Sequence, residues 1–340
     1  MSKKKILVTG GAGFIGGHTV VELIGAGYQP VIVDNLSRSD KTLLDGLEKI
    51  IKQKPVFYQG DCADEKFLKK VFEAEKNIDG AMHFAAYKSV GESVQHPTMY
   101  YSNNLNSLTT LLNVMKEFGV RDLIFSSSCT VYGEPDRIPV NEDAPVKRAE
   151  SPYGATKQMC ERILEDVYPL GMRVVSLRYF NPIGAHPTAL IGELPIGVPS
   201  NLVPYITQTA IGKRQKLTVF GNDYNTADGS CVRDFIHVVD VAQAHIRAME
   251  YLSRQKADPM YRVMNLGTGI GVSVLELVNT FEKVTGVKLN YSIGPRRAGD
   301  VEKTYADPSR AFRELEWKPK FSIEDGLLHA WQWEQKLTKS

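Results

Sequence analysis

The segment KILVTGGAGFIGG, Lys5 to Gly17, determines the fold that this sequence predicts. Its first half is a short run rich in β-branched residues that ends at Gly10, which is typical of a buried strand. Glycines recur at Gly13 and Gly16, and the apolar residues from Val20 to Ile24 that follow have helical spacing. The segment therefore predicts a strand, a glycine-rich turn and a helix.

A second apolar run, PVIVDN, ends with Asp34 and Asn35 and indicates the next strand. Glycines between a strand and a helix let the backbone approach a pyrophosphate at the helix N-terminus, and an acidic residue after the second strand binds the adenosine ribose. A tight turn alone would also need glycines, but the strand, the helix and Asp34 together predict a dinucleotide site. Because a carboxylate at that position would repel a 2′-phosphate, NAD is favoured over NADP.

Further strand patterns alternate with helical ones along the first half of the chain. They are VFYQGD ending at Asp61, GAMHFAA around His83 to Ala86, DLIFSSS from Asp122 to Ser128, and RVVSLRYFN from Arg173 to Asn181. This alternation predicts an α/β fold, a doubly wound parallel sheet of the Rossmann type. Ligands bind such sheets beyond the carboxyl ends of the strands, so polar residues that follow a strand are candidate ligand contacts rather than ordinary turn residues.

The length and apolar fraction predict a globular protein with a full hydrophobic core, and the balanced charge favours a small-molecule partner. The chain has 340 residues, of which 43% are apolar, and 41 basic residues balance 39 acidic ones, so no net basic field favours nucleic acid. Four cysteines lie far apart without a C-x-x-C pair, which indicates no zinc or other metal site and fits a reducing cytoplasm. Uninterrupted apolar runs long enough to span a membrane are not found in the sequence, so no membrane partner is expected.

The sequence changes character after Asn181, where a stretch rich in proline and glycine indicates a long ordered loop over the sheet edge. We expect an NAD-binding domain over residues 1–180, with return segments near 237–266 that bring the run YRVMNLGTG back to the first sheet. A smaller, interleaved α/β substrate domain is expected over 181–236 and 267–340.

The segment SPYGATKQMC places Tyr153 and Lys157 on one face of a helix. Such a pair alone is more often an ordinary surface feature, but Ser151 suits a helix N-cap and Pro152 the first helical position, so Tyr153 would lie in the first turn. Lys157, the positive helix end and a nicotinamide cation would all favour the phenolate. We therefore expect Tyr153 to act as a base, with Ser128 bound to the same substrate oxygen.

Tyr153, Lys157 and an upstream serine, on a fold that opens with TGGAGFIG, resemble the extended short-chain dehydrogenase/reductase superfamily. Longer segments resemble, in order, the UDP-galactose (UDP-glucose) 4-epimerase family. They are HFAAYKSVGESVQHP, FSSSCTVYG, SPYGATK, LRYFNPIGAHP, SNLVPYI, VFGNDYNTADGSCVRDFIHVVD, NLGTG and PRRAGDVE, and the resemblance runs from about Lys5 to about Trp333.

The resemblance implies an enzyme of galactose metabolism that epimerises C4 of UDP-glucose and UDP-galactose reversibly. Tyr153 would take the proton of the sugar 4-hydroxyl while hydride moves to NAD, and the transient 4-keto sugar would turn and receive hydride on its other face. Family members resemble homodimers formed through two helices, here expected around residues 101–118 and 153–169.

The resemblance also implies the residues of both binding sites. The predicted cofactor site comprises Gly10, Gly13, Phe14, Ile15, Gly16, Asp34, Asn35, Asp61, Cys62, Phe84, Ala85, Ala86, Lys88, Asn103, Ser126, Tyr153, Lys157 and Phe180. The predicted UDP-sugar site comprises Lys88, Ser128, Tyr153, Asn181, Asn201, Leu202, Thr218, Val219, Phe220, Arg233, Arg297, Asp300 and Thr304. Guanidinium groups such as those of Arg233 and Arg297 suit a pyrophosphate, although either arginine alone would more often be a surface charge.

The sequence departs from the family at a few positions. Ala86 and Tyr87 stand where Gly and Leu are usual, Cys129 replaces a common Ala and Cys231 a common Gly. Thr304 stands where epimerases confined to unsubstituted sugars carry Tyr, so we expect UDP-N-acetylglucosamine and UDP-N-acetylgalactosamine to be accepted as well. The alternative is a register change of one residue that lets Tyr305 fill the same space.

Two other functions share parts of this pattern. Sugar-nucleotide 4,6-dehydratases resemble T-D-E-V-Y-G at the serine segment and use the two carboxylates as acid and base, whereas this chain has Ser128, Cys129 and Thr130 there. An NAD-bound regulator on the same fold would have no need of Ser128, Tyr153 and Lys157 together. Conversion of an added UDP-sugar distinguishes the enzyme from the regulator.

Overall fold

A computed structural model describes residues 3–255, 258–297 and 300–339. Its strands are β1 (Lys5–Thr9), β2 (Gln29–Asp34), β3 (Val56–Gln59), β4 (Ile78–His83), β5 (Asp122–Ser128), β6 (Arg173–Tyr179), β7 (Asn181–Ile183), β8 (Leu217–Phe220), β9 (Val232–Arg233), β10 (Phe235–His237), β11 (Met260–Leu266), β12 (Val272–Ser273), β13 (Tyr291–Gly294) and β14 (Lys303–Thr304). Its helices are α1 (Phe14–Gly25), α2 (Lys41–Ile51), α3 (Glu65–Glu75), α4 (Val90–Gln95), α5 (Pro97–Glu117), α6 (Pro152–Val167), α7 (Leu202–Ala210), α8 (Val238–Arg254), α9 (Val274–Thr285), α10 (Ser309–Glu314) and α11 (Ile323–Lys339).

The main sheet has the order β11-β6-β5-β4-β1-β2-β3, and each neighbouring pair is parallel. Side chains of successive strand residues point to opposite faces. In β1, Ile6 and Val8 therefore pack into the apolar layer that includes α1 and α8, while Leu7 packs into the layer that includes α3, α5 and α6. The doubly wound parallel sheet predicted from the sequence is confirmed.

Three predicted strands end earlier in the structure than the sequence pattern suggests. β3 ends at Gln59 rather than Asp61, β4 at His83 rather than Ala86, and β6 at Tyr179 rather than Asn181. The cause at β4 is a close approach of two loops, since a Cβ placed on Gly10, whose φ is +72°, would lie 2.7 Å from the amide nitrogen of Ala85. The residues after His83 turn toward the glycine loop and leave the sheet.

Smaller sheets lie beyond the carboxyl edge of the main sheet. β7 pairs with β10, β8 pairs with β13, and β9 lies between β12 and β14. A separate apolar cluster that includes residues of α7, α9 and α11 supports these elements. Strand β11 returns to the main sheet beside β6, as expected for the YRVMNLGTG run, while the domain limits given above stay a prediction.

Among the residues that the structure describes, we find no helix both long enough and apolar enough to cross a membrane.

Candidate active site

A cavity of about 410 Å³ lies over the carboxyl ends of β1, β2, β4 and β5. The predicted cofactor residues that line it are Gly10, Gly13, Phe14, Ile15, Gly16, Asp34, Asn35, Asp61, Cys62, Phe84, Ala85, Ala86, Lys88, Asn103, Ser126, Tyr153 and Lys157. These residues come from separate loops, and the parallel sheet brings them together because the carboxyl ends of its strands meet at one edge.

The glycine turn fits a dinucleotide pyrophosphate. Gly13 is the N-cap residue of α1 and offers no side chain to its first amides, and a Cβ on Gly16 would overlap the carbonyl oxygen of Gly10. The helix thus starts against the turn, with free N–H groups directed at the cavity, and such groups bind anions. NAD is the cofactor that these residues would hold.

The carboxylate of Asp34 is fixed in the wall of this cavity. Its Oδ2 accepts a hydrogen bond from the amide of Ala12 at 3.1 Å, and its Oδ1 accepts from the amide of Leu36 and the hydroxyl of Ser39, both at 2.9 Å. Carboxylate oxygens have further lone pairs that remain available to ribose hydroxyls. The side chain is therefore oriented before any ligand binds.

Helix α6 begins as the sequence predicts. The Ser151 side chain accepts a hydrogen bond from the amide of Gly154, and Pro152 occupies the first helical position. One turn later, the ammonium group of Lys157 donates to the carbonyl oxygen of Ser126 at 2.6 Å and lies 5.9 Å from the ring centroid of Tyr153. Burial lowers the pKa of Lys157 to about 8, because the charged form loses its hydration.

The hydroxyl group of Ser128 is close enough to Tyr153 to act on its phenol, in the direction that lowers the pKa of Tyr153. The oxygen of Ser128 already accepts from the amide of Thr130 at 3.2 Å and from the Thr130 hydroxyl at 3.0 Å. With both lone pairs used, the Ser128 proton is directed to Tyr153 or to a substrate oxygen.

The protein groups alone do not make Tyr153 a ready base, and the expectation that Lys157, the helix N-terminus and a nicotinamide cation together favour the phenolate stays a prediction. Burial raises the pKa of Tyr153 to about 12, and the hydroxyl of Ser128 acts in the opposite direction without offsetting it. The physical reason is that the phenolate loses its hydration, while the ammonium of Lys157 is directed at the Ser126 carbonyl rather than at the phenol oxygen.

A buried ion pair that the sequence did not indicate holds α6 against the sheet. Arg178 of β6 donates to both carboxylate oxygens of Glu161, at 2.9 and 2.6 Å, and the hydroxyl of Ser127 donates to the same carboxylate at 2.6 Å. Glu161 lies one turn after Lys157. Strand β5, which carries the serine segment, and its neighbour β6 are thereby tied to the helix that carries Tyr153.

A second group of predicted residues lies together around Asp300. Arg297 donates to its carboxylate at 2.7 Å, Arg233 lies 3.7 Å from it, and the guanidinium of Arg297 covers the ring of Phe220 at 5.6 Å. These are the residues predicted to bind the UDP part of a substrate. Residues 298 and 299 of the PRRAGDVE motif lie outside the described residues.

Thr304 pairs with Arg233 across the contact between β14 and β9, so their side chains share a face of this small sheet. Tyr305 lies on the other face. There, a Cβ added to Gly271 would contact both its ring and the side chain of Val232. The register therefore argues against Tyr305 as the residue beside Arg233.

Cys129 lies between the residues that line the cavity and the residues around Asp300. Its thiol interacts electrostatically with Arg233 and with Tyr153. Burial raises the pKa of Cys129 to about 11, which disfavours the reactive thiolate. The departure from Ala at this position thus places a small, unreactive thiol beside the catalytic candidates.

Asn181 and Asp234 connect the main sheet to the second group. The amide of Asn181 donates to the carbonyl oxygen of Asp234 at 2.9 Å, and the buried Oδ1 of Asn181 lacks a hydrogen-bond partner among the described residues. A buried acceptor of this kind suits a hydroxyl donor from a ligand. The carboxylate of Asp234 accepts from the amides of Thr268, Gly269 and Ala306 and so holds β9 beside β14.

Glu193 is a residue of this region that the sequence analysis missed. One of its carboxylate oxygens accepts hydrogen bonds from Lys88 and from Asn201, each at 2.6 Å, and its backbone carbonyl accepts from the indole of Trp333 at 2.9 Å. Glu193 therefore links a predicted cofactor residue to a predicted substrate residue. Its distance along the chain from Lys88 left no local pattern by which to find it.

Not every predicted residue lies on the cavity or the second group. Phe180 is buried in a cluster with Val131, Tyr132 and Ala306 and does not line the cavity. Leu202 begins α7, where it packs beside the apolar cluster that supports the smaller sheets.

Comparisons with known proteins agree over nearly the whole chain. A family model described as GDP-mannose 4,6 dehydratase matches residues 7–329. The UDP-glucose 4-epimerase of Dictyostelium discoideum is 50% identical over 332 residues, which cover 97% of this chain and 95% of that protein. A crystal structure of UDP-glucose 4-epimerase from Bifidobacterium longum in complex with NAD⁺ and UDP is similar with a TM-score of 0.93, 45% identity and 98% coverage of both chains.

The UDP-Glc/GlcNAc 4-epimerase from Campylobacter jejuni is similar with a TM-score of 0.84, 37% identity, and coverage of 98% of this chain and 99% of that one.

Replacement of Lys157 by Met should make the protein more stable below pH 8. The wild-type lysine is charged in both states there but desolvated only in the folded one, which costs on the order of 3 kcal/mol before the lost Ser126 hydrogen bond is counted. Between pH 8 and about 10.5 the unfolded chain binds the additional proton, so wild-type stability rises with pH and the advantage of the variant shrinks.

Urea unfolding of both proteins across this pH range is the measurement, with the exposed Lys70→Met as control. Equal pH slopes for wild type and Lys157→Met would contradict the lowered pKa.

Proposed function

Because the chain belongs to the UDP-glucose 4-epimerase family of the extended short-chain dehydrogenase/reductase superfamily, we propose that it interconverts UDP-glucose and UDP-galactose by inversion at C4, with NAD as bound cofactor. The observation that supports this most directly is the hydroxyl pair of Ser128 and Tyr153 beside Lys157, at the end of a cavity built on a glycine turn. When bound, NAD accepts the hydride from C4 and returns it to the opposite face.

Tyr153 removes the proton of the 4-hydroxyl and later returns it. Ser128 donates its free proton toward the same substrate oxygen and so helps to hold the sugar as alcohol and as ketone. Lys157 keeps a positive charge near the ring, which offsets part of the cost of forming the phenolate in a buried site. We therefore expect Tyr153 to act as a base only when the cofactor and the substrate are bound.

The UDP part of the substrate would bind at the group around Asp300. Arg233 and Arg297 supply guanidinium forks for the pyrophosphate, and Asp300 keeps both in place. Phe220, with Thr218 and Val219, offers a strand edge and an aromatic face for the uracil. The buried Oδ1 of Asn181 would accept a hydrogen bond from a sugar hydroxyl.

The family model carries the name of a dehydratase, and the serine segment argues against that reaction here. Cys129 and Thr130 occupy the positions at which a dehydratase needs an aspartate and a glutamate, and both lie in a short 3₁₀ turn directly after β5. Thr130 has no group that titrates in the physiological range, and burial raises the pKa of Cys129 to about 11, so neither replaces the carboxylate pair that removes water across C5 and C6. Of the residues in this region, the proposed epimerisation uses Ser128, Tyr153 and Lys157, and it requires no carboxylate there.

We further propose that the protein is a cytoplasmic homodimer. The two helices expected at the dimer interface, α5 and α6, pack against each other on one side of the sheet, and Met159 of α6 is exposed. The four cysteines are free thiols, which fits a reducing compartment. Light scattering of the purified protein tests the dimer.

The test of the function is to incubate NAD-loaded protein with UDP-galactose, UDP-glucose and their N-acetylated counterparts and to separate the products. We expect the same equilibrium mixture from either member of a pair, with NAD recovered unchanged in amount. Protein that retains NAD but converts none of the four sugars would overturn the proposal.

Replacement of Tyr153 by Phe should reduce turnover by roughly 10² to 10⁴ while NAD and UDP-sugar binding are largely kept, because the change removes a proton acceptor and little volume. Turnover is measured with saturating UDP-galactose, and NAD content after denaturation. Tyr168→Phe, just beyond the same helix and outside the cavity, is the matched control. A Tyr153→Phe enzyme of near wild-type activity would refute the assigned base.

Replacement of Thr304 by Tyr should remove N-acetyl activity selectively. Thr304 shares a face with Arg233, so a ring there would narrow the sugar pocket, whereas the small threonine leaves room for an acetamido group. The measurement is the ratio of kcat/KM for UDP-N-acetylglucosamine and UDP-glucose. Lys303→Tyr, which adds the same ring to the opposite face, should leave this ratio unchanged.

A wild-type enzyme that is active on UDP-galactose and inert toward both N-acetylated sugars would contradict the assignment of Thr304.

A further inference from the structure

Two loops on opposite sides of the glycine turn are joined by a side-chain contact. In the sheet order β4-β1-β2, the loop after β4 and the loop after β2 flank the end of β1. Arg38 lies in the loop after β2, and its guanidinium carbon is 4.6 Å from the ring centroid of Tyr87 in the loop after β4. The same guanidinium donates to the carboxylate of Glu92 in α4 at 2.8 Å.

Hydrogen bonds hold Tyr87 and Glu92, the two partners of Arg38, in place. The backbone of Tyr87 exchanges two hydrogen bonds with the side chain of Asn104, at 2.9 and 3.1 Å. The second oxygen of Glu92 accepts from the hydroxyl of Tyr100 at 2.7 Å, and that hydroxyl accepts from the amide of Ser89 at 3.0 Å. Arg38 therefore meets a fixed aromatic face and a fixed carboxylate.

The contact between Arg38, Tyr87 and Glu92 lies at the predicted cofactor cleft. Arg38, Tyr87 and Glu92 line the same cavity as Gly10 and Asp34. A link between the loops after β4 and β2 must pass over the end of β1, which is where a dinucleotide pyrophosphate lies on such a sheet. The Arg38 side chain is 45% exposed, so the link lies at the mouth of the cavity rather than in its floor.

We propose that Arg38, Tyr87 and Glu92 form a clasp across the cofactor cleft that retains bound NAD. The inference rests on the proposed function. Epimerisation returns the hydride that it borrows, so the cofactor has no need to leave between turnovers. Slow release therefore carries no kinetic cost, whereas an enzyme that exchanges its nucleotide in every cycle would be limited by such a clasp.

The experiment measures NAD release directly. Protein loaded with NAD and freed of excess nucleotide is diluted into a trap dehydrogenase that converts each released NAD to a fluorescent product. Arg38→Ala removes the cation, and Tyr87→Leu keeps apolar bulk but removes the π face. We expect Tyr87→Leu to release NAD about 2- to 5-fold faster, the range for an exposed cation–π contact, and Arg38→Ala, which also loses the ion pair, about 3- to 30-fold faster.

The double variant tests whether both residues act through one contact. If they do, its release rate will be lower than the product of the two single effects predicts. Arg247→Ala is the matched control, because Arg247 pairs with Glu250 at 2.9 Å with side-chain exposures of 47% and 33%, against 45% and 28% for Arg38 and Glu92. This control pair lies on α8, away from the cavity, and its loss should leave release unchanged.

The outcomes separate the clasp from the proposed function. Wild-type protein that binds no NAD would refute the proposed function itself. Wild-type protein that retains NAD while Arg38→Ala and Tyr87→Leu release it at the wild-type rate would overturn the clasp. A lower melting temperature of the variants with unchanged NAD release would show that the contact only stabilises α4.

Discussion

The close contact between the glycine turn and the start of α1 is the constraint on which the rest of the structure depends. Because a side chain on Gly16 would overlap the carbonyl oxygen of Gly10, only glycine lets the helix begin directly against the end of β1. That contact directs free amides at the cleft, and the absence of a side chain on Gly10 leaves space for the loop after β4 to approach. The cavity that Asp34 lines, and the residues of the proposed clasp at its mouth, are arranged around this turn.

Three carboxylates organise the site without taking part in the proposed chemistry. Glu161 ties α6 to β6, Asp234 holds β9 beside β14, and Glu193 joins Lys88 to Asn201. Each is buried or nearly so and accepts several hydrogen bonds, which is the condition under which a carboxylate is tolerated inside a protein. The two binding regions are thereby held in a fixed relation to one another.

Burial determines the electrostatics at Tyr153 and Lys157, the two residues proposed to be catalytic. It raises the pKa of Tyr153 to about 12 and lowers the pKa of Lys157 to about 8, so near neutral pH the tyrosine stays neutral while the lysine keeps most of its charge. The protein alone therefore does not favour the phenolate, and the nicotinamide cation of bound NAD would supply a further positive charge that does. This is consistent with a base that is active only once the site is filled.

The sequence by itself determined what depends on neighbouring residues. The alternation of strands and helices, the glycine turn and the Ser151 cap are local patterns, and parallel strands necessarily bring their carboxyl ends to one edge, so the glycine turn and Asp34 could be assigned to the cavity in advance. The longer list of cofactor residues followed from the resemblance to the epimerase family. Only the tertiary structure decided the roles of Arg38, Glu161 and Glu193, because their partners come from other segments of the chain. It also decided the pKa of Tyr153, because desolvation sums contributions from every element packed around the ring, and no local pattern records that sum.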